Sequence, residues 1–136
     1  MRRFAPKRAL LWLFAAACLT LFFGSVPTRA WQTAELLHEV SRWPEAEECP
    51  ALEAGRAPAP VLSRSTSSTA ETVALVGHEP FLSRLTSLLC ASAESALRMK
   101  LKKGGVVSIE IATDLRAGTG CLLWSVTPKQ LRAVSR

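Results

Sequence analysis

Residues 72–90 constrain the fold most. Thr72-Val73-Ala74-Leu75-Val76 is a short apolar run, partly β-branched, of the kind that forms a strand buried on both faces. Gly77-His78-Glu79-Pro80 follows at once. Phe81, Leu82, Leu85, Leu88 and Leu89 then recur at helical spacing, with Pro80 in the first turn, where its missing N–H does no harm. A buried strand running directly into an amphipathic helix points to an α/β layout.

The rest of the chain agrees with that class. Its 136 residues suffice for one modest domain. Apolar residues at 49% and charged residues at 21% exclude a disordered tail and a coiled coil. Residues 106–111 read as a strand with Val107, Ile109 and Ile111 on one face, and residues 121–126 as a last strand. The turn at 116–120 makes the two a hairpin. Thr127-Pro128-Lys129-Gln130-Leu131 resembles an N-cap and first helical turn. Residues 98–103 alternate basic and apolar side chains, as a half-exposed strand or its approach would. Toward the N-terminus, residues 33–42 have helical spacing and must end before Pro44. Pro, Gly, Ser and Thr mark residues 44–70 as a loop-rich connection, with a short helix near 67–71.

The first 24 residues admit three readings. Arg2, Arg3, Lys7 and Arg8 precede an uncharged run over 9–24, the pattern of a secretory signal, although Thr28-Arg29-Ala30 is a mediocre cleavage site. The run is short for a membrane-spanning helix. It also fits a buried helix followed by a buried strand at about 19–23. The chain therefore divides into a basic and apolar segment, 1–18, and an α/β domain, 19–136.

Four cysteines (Cys18, Cys49, Cys90, Cys121) show no paired C-x-x-C spacing, which excludes a zinc ribbon and favours reduced, mostly buried thiols. Seventeen Lys and Arg against 11 Asp and Glu give a formal charge of +6, which permits an anionic partner. Nucleic acid is not expected, since no recognition motif is present and aromatics make up 7%. The basic residues of 98–103 suit a solvated edge or an acidic partner.

Two residues could carry chemistry. In an open parallel sheet, ligands bind beyond the C-terminal ends of strands, where helix N-termini also face. His78 falls there by sequence logic. A protonated imidazole would stabilise a phosphoryl group, and a neutral one could pass a proton. Arg29 falls on the strand-to-helix turn if 19–23 is a strand, and its planar guanidinium suits phosphate oxygens. His38 falls in mid-helix and reads as a surface or packing residue.

Four segments, in order, resemble the SixA-type phosphohistidine phosphatases of the histidine phosphatase superfamily. They are Arg29-Ala30-Trp31-Gln32-Thr33-Ala34-Glu35 with Ser25 before it, residues 73–83 around Gly77-His78-Glu79-Pro80, residues 101–106 around Gly104-Gly105, and Leu123-Trp124-Ser125-Val126-Thr127-Pro128. The resemblance implies a phosphoglycerate mutase-like layered sheet with helices on both faces. It also implies phosphoryl transfer from phosphohistidine on a phosphotransfer protein, or from another phosphorylated substrate. Carried over by position, His78 is the second histidine and Arg29 the phosphate-binding arginine. No metal or cofactor is implied, and the expected location is cytoplasmic.

The sequence departs from that family at its start. The family's first, central strand ends in Arg-His-Gly and supplies the nucleophile, whereas this chain has no Arg-His pair and only His38 and His78. Val26 also replaces a proline usual after the serine, and Phe81 an acidic residue. The resemblance therefore implies a truncated member lacking its first central strand, with weak or no activity. Two alternatives stand beside it: a non-catalytic binder of phosphate or a phosphoprotein, and a small protein anchored or exported through residues 9–23.

Overall fold

The structure is a computed structural model describing residues 9–15, 29–41, 45–52, 55–66, 72–112 and 114–135. For 9–15, 29, 30, 41, 64–66 and 72 it describes the backbone alone. In chain order the elements are β1 (Ala9–Ala15), α1 (Arg29–Ser41), a 3₁₀ turn (Pro50–Leu52), α2 (Ala59–Thr66), β2 (Thr72–Gly77), α3 (Phe81–Ala91), β3 (Val106–Ile111), β4 (Gly120–Val126) and α4 (Pro128–Val134). The four strands form one mixed sheet in the order β2-β1-β3-β4. β1 runs parallel to β2 and antiparallel to β3, and β3 pairs antiparallel with β4.

The expected α/β layout holds, with helices on both faces. Leu75 of β2 joins Val107, Ile109 and Ile111 of β3 in the main core, under Phe81, Leu82, Leu85 and Leu89 of α3. Leu52 of the 3₁₀ turn, Val61 of α2 and Leu101 close the same core. The next residue of β2, Val76, points the other way because side chains alternate along a strand, and it packs with Ala34 of α1. One short strand thus carries a helix on each side, as its unbroken apolar run requires.

One expectation is corrected. The place of a first central strand is not empty, because β1 fills it between β2 and β3. A continuous apolar run suits a strand covered on both sides, which is why the segment Ala-Leu-Leu-Trp-Leu-Phe-Ala can sit in mid-sheet. Residues 9–15 therefore belong to the sheet, although the sequence had set 1–18 apart. The expected strand at 19–23, and the boundary between residues 18 and 19, lie outside the described residues.

Smaller differences have local causes. α1 begins at Arg29, four residues earlier than the periodicity shows. A helix forms at Ala59–Thr66, while the one expected near 67–71 lies outside the described residues. Pro60 falls in the first turn of α2, where proline is tolerated, so what looked like a loop signal starts a helix. Residues 98–103 form no strand. At the C-terminus, Thr127 caps α4 with a full capping box: its hydroxyl accepts from the Gln130 amide while the Gln130 side chain accepts from the Thr127 amide. The described cysteines are free, but not mostly buried: Cys49 and Cys90 are half-buried and Cys121 is exposed. Among the described residues, no helix is long and apolar enough to cross a membrane.

Candidate functional site

The parallel register of β1 and β2 builds one edge of the molecule. Ala15, the last residue of β1, pairs with Gly77, the last of β2, so two neighbouring strands end side by side. Phe14 pairs with Val106, the first residue of β3, and Val106 pairs with Val126, the last of β4. Gly104-Gly105 and the capped start of α4 therefore reach this same edge, and a Cβ on Gly104 would touch the Pro128 ring at 3.0 Å. Here the parallel pair β1 and β2 presents its strand ends together with helix starts.

His78 is the first residue beyond β2, between Gly77 and α3. Gly77 is buried, and a Cβ there would come within 3.3 Å of the Leu82 side chain, so glycine lets α3 close tightly on the strand end. The His78 carbonyl accepts from the Leu82 amide at 3.2 Å, which fixes the backbone under the imidazole. The ring is half-buried, and its Nδ1 is enclosed with no hydrogen-bond partner among the described residues. Burial pulls the His78 pKa below its ordinary 6.5, and the neighbouring Glu79 carboxylate only partly opposes this. At neutral pH the imidazole is therefore mainly uncharged, suited to donating or passing a proton rather than to offering a fixed positive charge.

Glu79 was not singled out by sequence. Its carboxylate accepts from the Ser83 amide at 3.0 Å and from the Ser83 hydroxyl. Together with the bond from Leu82 to the His78 carbonyl, this occupies the Leu82 and Ser83 amides in the first turn of α3. Pro80 has none to offer. The helix start that the sequence offered as an anion cradle is thus partly occupied by the chain's own carboxylate. An acidic residue four positions before a serine, at a strand-to-helix junction, was the available signal.

Arg29 is the first residue of α1, and its side chain lies outside the described residues. Its helix is anchored beside the same strand end: Ala34 of α1 packs on Val76, two residues before His78. His38 is exposed on α1. β1 ends in Leu-Phe-Ala, followed in sequence by two more alanines, so the strand beside His78 brings no histidine to the edge. Cys90 offers no substitute nucleophile. It lies at the far end of α3, and burial first, then Cys121, pushes its thiol pKa up. Among the described residues no three His, Cys, Asp or Glu side chains gather as a metal site.

No protein-family model matches the chain, and no curated protein matches it. Among solved structures the chain is similar to the protein histidine phosphatase SixA complexed with tungstate. The TM-score is 0.70 at 16% sequence identity, over 90% of this chain and 99% of that one. The chain therefore has a SixA-like histidine phosphatase fold.

Proposed function

We propose that this chain is directed at phosphohistidine on phosphotransfer proteins, and holds the phosphoryl group at the edge where β1 and β2 end without efficient turnover. One observation carries this reading: His78 stands directly beyond a parallel strand end, and the neighbouring central strand brings no histidine to meet it. Phosphoryl transfer asks a protein mainly for positioning and for compensation of charge on the transferred oxygens. The half-buried imidazole of His78 supplies a proton donor, and Arg29, at the head of the helix packed on Val76, supplies the cation. Covalent catalysis through histidine needs a second imidazole at the phosphorus, and the only other histidine, His38, is exposed on α1.

Calorimetry with a stable phosphohistidine analogue tests the binding, and incubation with a phosphorylated phosphotransfer domain tests the turnover. Binding abolished by His78→Ala and by Arg29→Ala, with slow or absent phosphate release, is the expected pair of results. Release at an enzyme's ordinary rate, untouched by His78→Ala, would reject the site.

A further inference from the structure

The connection between α3 and β3 carries a line of cations toward the proposed site. From residue 97 to 102 exposure alternates: Arg98, Lys100 and Lys102 are exposed, while Leu97 and Met99 are half-buried and Leu101 is buried in the main core. Lys103 is also exposed. This is strand-like alternation outside any sheet, with the apolar side clamped to the core and the charged side left to solvent. The segment's one carboxylate, Glu94, is held by Arg84 (Nε to Oε2, 2.9 Å), and none of the four cations has an ion pair among the described residues. The line ends in a tight turn, in which the Gly105 amide donates to the Lys102 carbonyl at 2.7 Å, immediately before Val106 at the sheet edge shared with His78.

We propose that Arg98, Lys100, Lys102 and Lys103 form a docking strip for the acidic protein surface that flanks the phosphorylated residue of the partner. The idea rests on the phosphoryl site proposed above and adds what lies beyond it. The strip is anchored rather than floppy, since Leu101 and Met99 fix it to the core, so little ordering is needed when a partner binds. Its charges are exposed and unpaired among the described residues, the state in which they steer an oppositely charged surface and set register. A protein fits better than a nucleic acid, because residues 97–103 include no aromatic side chain on which a base could stack.

The test compares two peptides carrying the same stable phosphohistidine analogue, one flanked by glutamates and one by glutamines, by fluorescence anisotropy at low and high salt. Inorganic phosphate is measured in parallel by calorimetry. The glutamate-flanked peptide is expected to bind at least about tenfold more tightly at low salt, with the difference collapsing at high salt. Arg98→Glu with Lys100→Glu removes that preference and leaves phosphate affinity unchanged; Arg98→Gln with Lys100→Gln does the same more mildly. Equal affinity for the two peptides overturns the strip, and so does a preference that survives charge reversal. Displacement of the peptide by single-stranded DNA of equal charge at lower concentration overturns it too. If phosphate fails to bind but the glutamate preference persists and reverses with charge, the strip stands and the phosphoryl site falls.

Discussion

Ala15 and Gly77 are register partners in adjacent parallel strands, so β1 and β2 end level and His78 follows immediately at the exposed end. The proposed phosphoryl site depends on that pairing. The pairing ends the central strand on an alanine, beside a histidine placed by Gly77 and Leu82.

The environment of His78 makes its titration a first check. Burial disfavours the imidazolium, so His78 is expected to titrate below 6.5 in the folded protein. Between 6.5 and the lower folded value, the unfolded chain binds a proton that the folded chain does not. Stability therefore falls as pH drops through that window and rises again toward neutrality. Histidine-selective NMR titration, with thermal unfolding between pH 5 and 8, reads both effects.

Glu79→Gln separates the two roles of that carboxylate. The Glu79 charge raises the His78 pKa against burial, so its removal is expected to lower that pKa further. It also weakens the side-chain bonds to Ser83 at the start of α3, at a cost of about 1 kcal/mol. The NMR titration reports the first effect, and denaturant unfolding the second.

Much of this layout was legible in the sequence, and the reason is local. β2, α3, β3 and β4 announce themselves by period, and their observed bounds fall within a residue or so of the expected ones. The N-terminal strand was not legible, because an uncharged apolar run over 9–24 satisfies a signal segment, a helix or a strand equally well. Only the partners on either side, 60 to 100 residues away in sequence, settle which seven residues pair. His78 could be placed from its own neighbours, whereas Glu79 offered only its four-residue spacing to Ser83 as a signal. Only the folded turn shows the Glu79 carboxylate accepting from the Ser83 amide and hydroxyl.

Ser92→Gly is expected to stabilise the fold by about 0.5–1 kcal/mol. Ser92 caps the C-terminus of α3 at φ 64°, a left-handed conformation that glycine adopts without a Cβ penalty. The position is set by the Ser92 amide donating to the Leu88 carbonyl at 3.1 Å, so its conformation is fixed by the helix end. Gly118→Ala should act in the opposite direction, because Gly118 has φ 79° and a Cβ there would collide with the Ser92 side chain. Chemical denaturation of the two variants checks both signs.

Leu82→Ala links core and site. Leu82 is fully buried and rests against Gly77, so truncation is expected to cost about 2–5 kcal/mol. Because the Leu82 amide also holds the His78 carbonyl, any folded fraction should show a displaced His78 ring signal. The matched variant Leu89→Ala, equally buried but at the far end of α3, should cost a similar amount and leave that signal in place.

The most direct test is a histidine NMR spectrum of the full chain titrated with inorganic phosphate. The His78 ring signals are expected to shift saturably and its pKa to rise, since a bound anion favours the imidazolium, while His38 stays still. A His78 spectrum indifferent to phosphate, or one in which only His38 responds, would contradict the account.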